Sequence, residues 1–231
     1  MPNLSEFFAN YGNLLMQGTI DTLAMVFISS GFAYALGLIV GVVLYVTSPT
    51  GLHPMPLFNA VLGWVVNMTR SIPFIILLVA LMPFTRALVH TTMGVVGVMP
   101  PLVVSATPFV ARMIEQSLSE VPHDSIEAAE ACGASIPRIV WSALLPEALP
   151  SIVRGVSITL ISVLGYTAIA GAVGAGGLGD IAIRYGYYRY EDEVMVVTVI
   201  LLIVLVQIIQ STCDIIASHI DHRKRMHMSH E

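Results

Sequence analysis

Charge is the scarcest commodity in this 231-residue chain. Asp, Glu, Lys and Arg together make up 11% of it, where a soluble domain carries about 25%. Hydrophobic residues make up 56%, and mean hydropathy is +0.82. A single core of this size cannot hide so much apolar surface from water, so a soluble globular domain is excluded. Cysteine is nearly absent. Cys132 and Cys213 stand far apart and follow no ligand spacing, which excludes a disulfide framework and a zinc site. Lys224 is the only lysine, and it follows Arg223. A P-loop needs Gly-Lys followed by Ser or Thr, so the chain cannot be its own ATPase. It also has no HExxH string, and His53, His90 and His123 fall in expected loops. No catalytic or metal-ligating set is therefore expected. Residues 1–21 contain no Lys or Arg, so the basic region of a cleaved signal peptide is not expected either.

The charges that exist are placed at intervals. None occurs between Thr22 and Thr69, Ser71 and Thr85, Ala87 and Ala111, Gly155 and Gly179, or Val194 and Cys213. A hydrocarbon core takes about 20 helical residues. The expected fold is all-α, a polytopic membrane bundle of about five spans near residues 23–46, 72–89, 95–111, 152–170 and 194–217. The second of these reaches Val89 if Arg86 snorkels its head to the interface. The run from Thr47 to Leu57 (TSPTGLHPMPL) is a turn-rich break, leaving Phe58–Thr69 as a shorter helix along or into the membrane. Gly37 and Gly41 are spaced for close helix packing. No tandem repeat or linker divides the chain, so residues 1–231 are expected to form one membrane domain.

Orientation follows from the basic residues. Arg70, Arg112, Arg138, Arg154, Arg223, Lys224 and Arg225 fall on one side of a five-span chain; Arg86, Arg184 and Arg189 fall on the other. The richer side should be cytoplasmic, placing the N-terminus outside and the C-terminus inside. The longest cytoplasmic connection is then 112–151.

That connection reads VPHDSIEAAEACGASIPRIVWSALLPEALP. Asp124 suits an N-cap with Glu127 completing a capping box. Gly133 suits the left-handed stop of the first helix. Ser135 suits the cap of a second helix, with Pro137 in its first turn. Ile139, Val140, Ala143 and Leu144 share one apolar face, and Leu145-Pro146 is expected to end that helix. The result is a helix, a glycine corner and a helix on the cytoplasmic surface, needing a protein partner or the bilayer to cover it.

Glu127-Ala128-Ala129, then Gly133, then Leu145-Pro146 resemble, in type and spacing, the EAA loop of bacterial ABC importer permeases; Ala143 stands where that family usually has Ile. The resemblance narrows to methionine-importer permeases through Arg70 to Val79, Pro83-Phe84-Thr85-Arg86, Leu144 to Pro150, and Gly165-Tyr166 leading into Gly171 to Gly179. It implies that Glu127, Ala128, Ala129, Gly133, Leu145 and Pro146 dock into an ATP-binding subunit. It also implies that Tyr166, Ile169, Gly171 and Gly174 lie near the translocation path. It further implies a permease homodimer in the bacterial inner membrane, two ATP-binding subunits holding ATP and Mg, and an external substrate-binding lipoprotein. No cofactor is expected on this chain and no nucleic acid among its partners; the lipid bilayer completes the set. Methionine, D- or L-, is the implied substrate. Another small amino acid is the alternative, and an ion-coupled secondary transporter is a further one.

Other patterns point less far. Gly174, Gly176 and Gly179 spell GxGxxG, but they follow a span rather than a strand, which removes the dinucleotide reading. Simple helix packing or unwinding along a pathway remain as readings. Arg184 to Tyr190 alternates aromatic and basic residues, then Glu191-Asp192-Glu193 cancels the basic field. An interfacial aromatic belt or a docking rim for the external binding protein are its two readings. His219, His222, His227 and His230 sit with Arg223, Lys224 and Arg225 in a tail that reads as a solvated, lipid-facing cationic end.

Overall fold

The computed structural model describes residues 4–220. Its helices are α1 (Leu4–Thr47), α2 (Pro56–Ser71), α3 (Phe74–Ala80), α4 (Met82–Val89), α5 (Gly94–Ser119), α6 (His123–Ala131), α7 (Ile136–Ile139), α8 (Leu145–Gly171), α9 (Gly177–Ile181) and α10 (Asp192–Ile220). Wider π turns occupy Val140–Leu144 and Ala182–Tyr187. Among the described residues there is no strand, as the composition implied. Among the described residues, four helical stretches are long and apolar enough to cross a membrane: Ser5–Thr47, Gly94–Ser119, Ile136–Gly171 and Asp192–Ile220. The bent pair α2 and α3 makes a fifth if it counts as one broken span.

Two expectations about these elements need correcting. Residues 72–89 do not form one helix. Pro73 precedes α3, Leu81 interrupts the run, and Pro83 lies in the first turn of α4. Each proline lacks the N–H that would continue a ladder, and its ring crowds the preceding turn. The second correction concerns Leu145-Pro146, which does not end a helix. The chain passes from α7 through the π turn at Val140–Leu144 straight into α8, giving one helical stretch over Ile136–Gly171. The wider turn, closed by the Leu145 amide on the Val140 carbonyl, makes room for a ring that a regular α-turn would reject.

The chain clusters into two compact units. Among the described residues, the first comprises 4–33, 72–106 and 160–209; the second comprises 34–71, 107–159 and 210–220. In the first, Phe7, Leu15, Leu178, Ile181 and Val194 form a buried core. In the second, Leu44, Val66 and Ala111 are buried together, flanked by Val40 and Leu62. The expected close packing at Gly37 and Gly41 is found in this second unit. A Cβ on Gly37 would lie 2.7 Å from the Val110 side chain, and one on Gly41 would lie 2.6 Å from the Ala111 carbonyl. Asn59 ties α2 to the end of α1 by donating to the Leu44 carbonyl at 2.7 Å and to the Thr47 hydroxyl at 3.1 Å.

Candidate functional site

The corner between α6 and α7 is built by its backbone. Pro122 precedes α6 with φ −58° and ψ 136°, and no side chain caps the helix. This overturns the capping box: the helix starts at His123, so Asp124 is its second residue and cannot cap it. Asp124 instead places a negative charge in the first turn, where the helix dipole favours it. Glu127 lies one turn from His123, with Nε2 to Oε1 at 3.8 Å and both side chains largely exposed. Such a pair adds little stability, leaving the carboxylate available.

Gly133 is left-handed, with φ +73°. The Gly133 amide donates to the Glu130 carbonyl at 2.8 Å, and the Ala134 amide donates to the Ala129 carbonyl at 3.2 Å. Those two bonds form a Schellman motif, which satisfies the last carbonyls of α6 and turns the chain sharply. Ser135 takes the N-cap position of α7 in extended conformation, but its hydroxyl makes no capping bond. Ile126, Ile139, Val140 and Leu144 are buried, with Ala143 half-buried among them, so the predicted apolar face is the anchored one. Glu127, Ala128, Gly133 and Pro146 are exposed, while Ala129 and Leu145 are half-buried. All six belong to the second unit. Trp141, 69% exposed, stands out beside them.

Behind the corner, the end of α5 meets the start of α8. Ser151 Oγ donates to Glu120 Oε2 at 3.0 Å and lies 3.1 Å from Ser117 Oγ. A cavity of about 60 Å³ opens there, lined also by Glu147 and Arg154. Arg112 is a further structural residue, one that sequence reading counted only as a basic loop residue. Its three nitrogens donate to Asn67 Oδ1 at 3.2 Å, Glu115 Oε2 at 2.6 Å and the Gly63 carbonyl at 3.0 Å, so it clamps α2 to α5.

The four expected pathway residues lie in the first unit and do different jobs. Tyr166 stacks on Phe74, ring centroids 4.8 Å apart and planes 16° from parallel. Ile169 is 45% exposed. Gly171 is a packing glycine: a Cβ there would collide with the Asp180 amide, and one on Gly179 would lie 2.6 Å from the Ala168 Cα. Gly174 is left-handed (φ +84°), and its carbonyl accepts the Gly94 amide at 3.0 Å. The turn leading to α9 is fixed further by the Leu178 amide, which donates to Thr22 Oγ1 at 2.9 Å. Asp180, 5% exposed, pairs with Arg184 one turn on. Its i, i+4 spacing to Arg184 was the one available sign of that pair. Among the described residues, no group of three His, Cys, Asp or Glu is placed to hold a metal. In the cationic tail only His219 is described, its Nδ1 2.8 Å from the Ile215 carbonyl; His222 to His230 lie outside the described residues.

Long apolar helices, a packed glycine turn and an exposed helix–glycine–helix corner define a polytopic membrane subunit of a transport system. The chain belongs to the family described as binding-protein-dependent transport system inner membrane component, whose profile matches residues 33–226. It is 48% identical to the probable D-methionine transport system permease protein MetI of Vibrio cholerae, over 95% of this chain and 98% of that one. It is 41% identical to the methionine import system permease protein MetP of Bacillus subtilis, over 78% of this chain and 81% of that one. A solved structure of inward-facing conformations of the MetNI methionine ABC transporter matches with TM-score 0.91 and 46% identity, covering 92% of this chain and 99% of that chain. The resemblance to ABC importer permeases is thereby borne out.

Proposed function

We propose that this chain is the permease subunit of an ATP-driven importer for methionine, D- or L-, working as a homodimer in the bacterial inner membrane. Similarity at 48% identity over 95% of the chain to a D-methionine permease is the observation that carries the substrate. Two ATP-binding subunits holding ATP and Mg dock beneath it, and an external binding protein delivers substrate. The N-terminus faces outward, and the corner faces the cytoplasm.

Coupling runs through Glu127, Ala128, Ala129, Gly133, Leu145 and Pro146. The Schellman turn supports this reading because it holds α6 and α7 at a set angle without side-chain capping. The helical continuity from Ile136 to Gly171 supports it too: displacement of the corner is carried along one stretch toward Tyr166, Ile169 and Gly171. Gly174 then forms the turn at its far end.

Reconstitution with an ATP-binding subunit and binding protein tests the function. Vesicles should accumulate labelled methionine only with ATP, and an unlabelled excess of methionine should abolish the signal. Accumulation of a different small amino acid in preference to methionine would move the substrate but not the class.

A further inference from the structure

Arg70 is a cation with no ion-pair partner among the described residues. It is the penultimate residue of α2, it is exposed, and its guanidinium lies over the Phe109 ring at 5.9 Å. Among the described residues no hydrogen bond or ion pair engages it. Arg112 is the opposite case, with Nε, Nη1 and Nη2 each donating to a partner. Both arginines line an open groove of about 400 Å³ in the second unit, together with Phe109, Met113, Glu115 and Gln116.

The place of Arg70 matters as much as its lack of a partner. It lies about 20 Å along α2 at 1.5 Å per residue, close to the break between the two halves of the bent span. Arg70 falls on the side that the basic-residue count assigns to the cytoplasm, and its exposed guanidinium faces this open groove. Two guanidinium groups against the single carboxylate of Glu115 leave the groove with one positive charge, so an anion is the complementary guest.

We propose that this groove is a carboxylate-recognition station for the transported amino acid, with Arg70 binding its α-carboxylate. The inference rests on the reading of the chain as an amino-acid permease and adds the residue that recognises the substrate. A guanidinium presents two parallel N–H donors that match a carboxylate, and the Phe109 face holds it from one side. Glu115 lies in the same groove for the substrate ammonium. Phe109 and Met113 supply a polarisable wall suited to a thioether side chain. One charge-assisted contact in an open groove binds weakly, as passage requires.

The test uses the permease assembled with its ATP-binding subunit in nanodiscs, without binding protein, and equilibrium binding of labelled L-methionine. The wild type should show saturable binding that unlabelled methionine displaces and methionine amide, lacking the carboxylate, does not. Arg70→Gln should weaken binding about tenfold while co-purifying with the ATP-binding subunit normally, and Arg70→Lys should recover part of the loss. Wild-type affinity in Arg70→Gln, equal competition by methionine amide, or no saturable binding at millimolar methionine would each overturn the station. The amide competition needs no variant, so it decides the matter even if Arg70→Gln fails to assemble. Methionine uptake by the complete wild-type system is measured alongside. If uptake persists while the binding result is negative, only the station is withdrawn; if no methionine is taken up, the substrate reading fails beneath it.

Discussion

At Gly133 the backbone stands at φ +73°, and a Cβ added there would meet nothing within 4 Å. The cost of substitution is therefore conformational rather than steric. A left-handed residue bearing Cβ costs about 1–2 kcal/mol, a β-branched one more, and Asn tolerates the region best. Transport should follow that order: Gly133→Asn near wild type, Gly133→Ala reduced, Gly133→Val lost. All three should insert normally, because no membrane segment is touched. Uptake and co-purification with the ATP-binding subunit check the series, and wild-type uptake by Gly133→Val would remove the corner from the coupling role. Gly171 and Gly179 differ in kind. There the obstacle is another stretch of backbone, which cannot give way as a flexible side chain can.

Elements are joined in this protein by a few polar contacts set among many apolar ones. Arg112 is the clearest case, since one side chain joins α2 to α5 through Gly63 and Asn67 while pairing with Glu115. Removing it breaks the part-buried contacts to the Gly63 carbonyl and Glu115 and the exposed one to Asn67, at a cost of about 1 kcal/mol. Arg112→Ala should therefore lower the thermal midpoint of the detergent-solubilised complex, whereas Arg70→Ala, which breaks no hydrogen bond, should leave it nearly unchanged. Equal midpoints for the two variants would contradict the clamp. The π turn at Val140–Leu144 does related work by a different means, because it lets Pro146 sit inside a continuous helix and so connects the corner mechanically to α8.

For the whole molecule the open question is its direction in the membrane. Seven of the ten basic residues fall on the side assigned to the cytoplasm, and the positive-inside rule turns that asymmetry into an orientation. With Cys132 and Cys213 replaced by Ser, a single Ser135→Cys should resist a membrane-impermeant maleimide in intact cells and react in inverted vesicles. Labelling from outside intact cells would reverse the assignment and move the corner away from any cytoplasmic ATPase. Arg70, Arg112, Arg138 and Arg154 each lie within a helical stretch of membrane-spanning length, Arg70 near the break of the bent pair, so the count assigns them by the end of the helix they stand nearest.

Amino-acid order alone determined the class of this protein. Apolar runs separated by isolated charges leave the chain no soluble alternative, and the Glu127 to Pro146 spacing identifies the corner by local chemistry. The left-handed Gly133 was legible for the same reason, since only glycine adopts that conformation freely. What stayed hidden was whatever depends on groups distant in the chain or on competition between neighbours. Asp124 lost the cap because Pro122 starts the helix earlier, and Pro146 failed to break α8 because a π turn absorbs its ring. The sequence did not show that α9 folds back on Gly171 so closely that no Cβ fits there. The partners of Arg112 and the isolation of Arg70 are likewise products of where α2 meets α5, and a one-dimensional charge count treats the two arginines as alike. Tertiary structure separated them, because a guanidinium's role is set by the acceptors within reach of it.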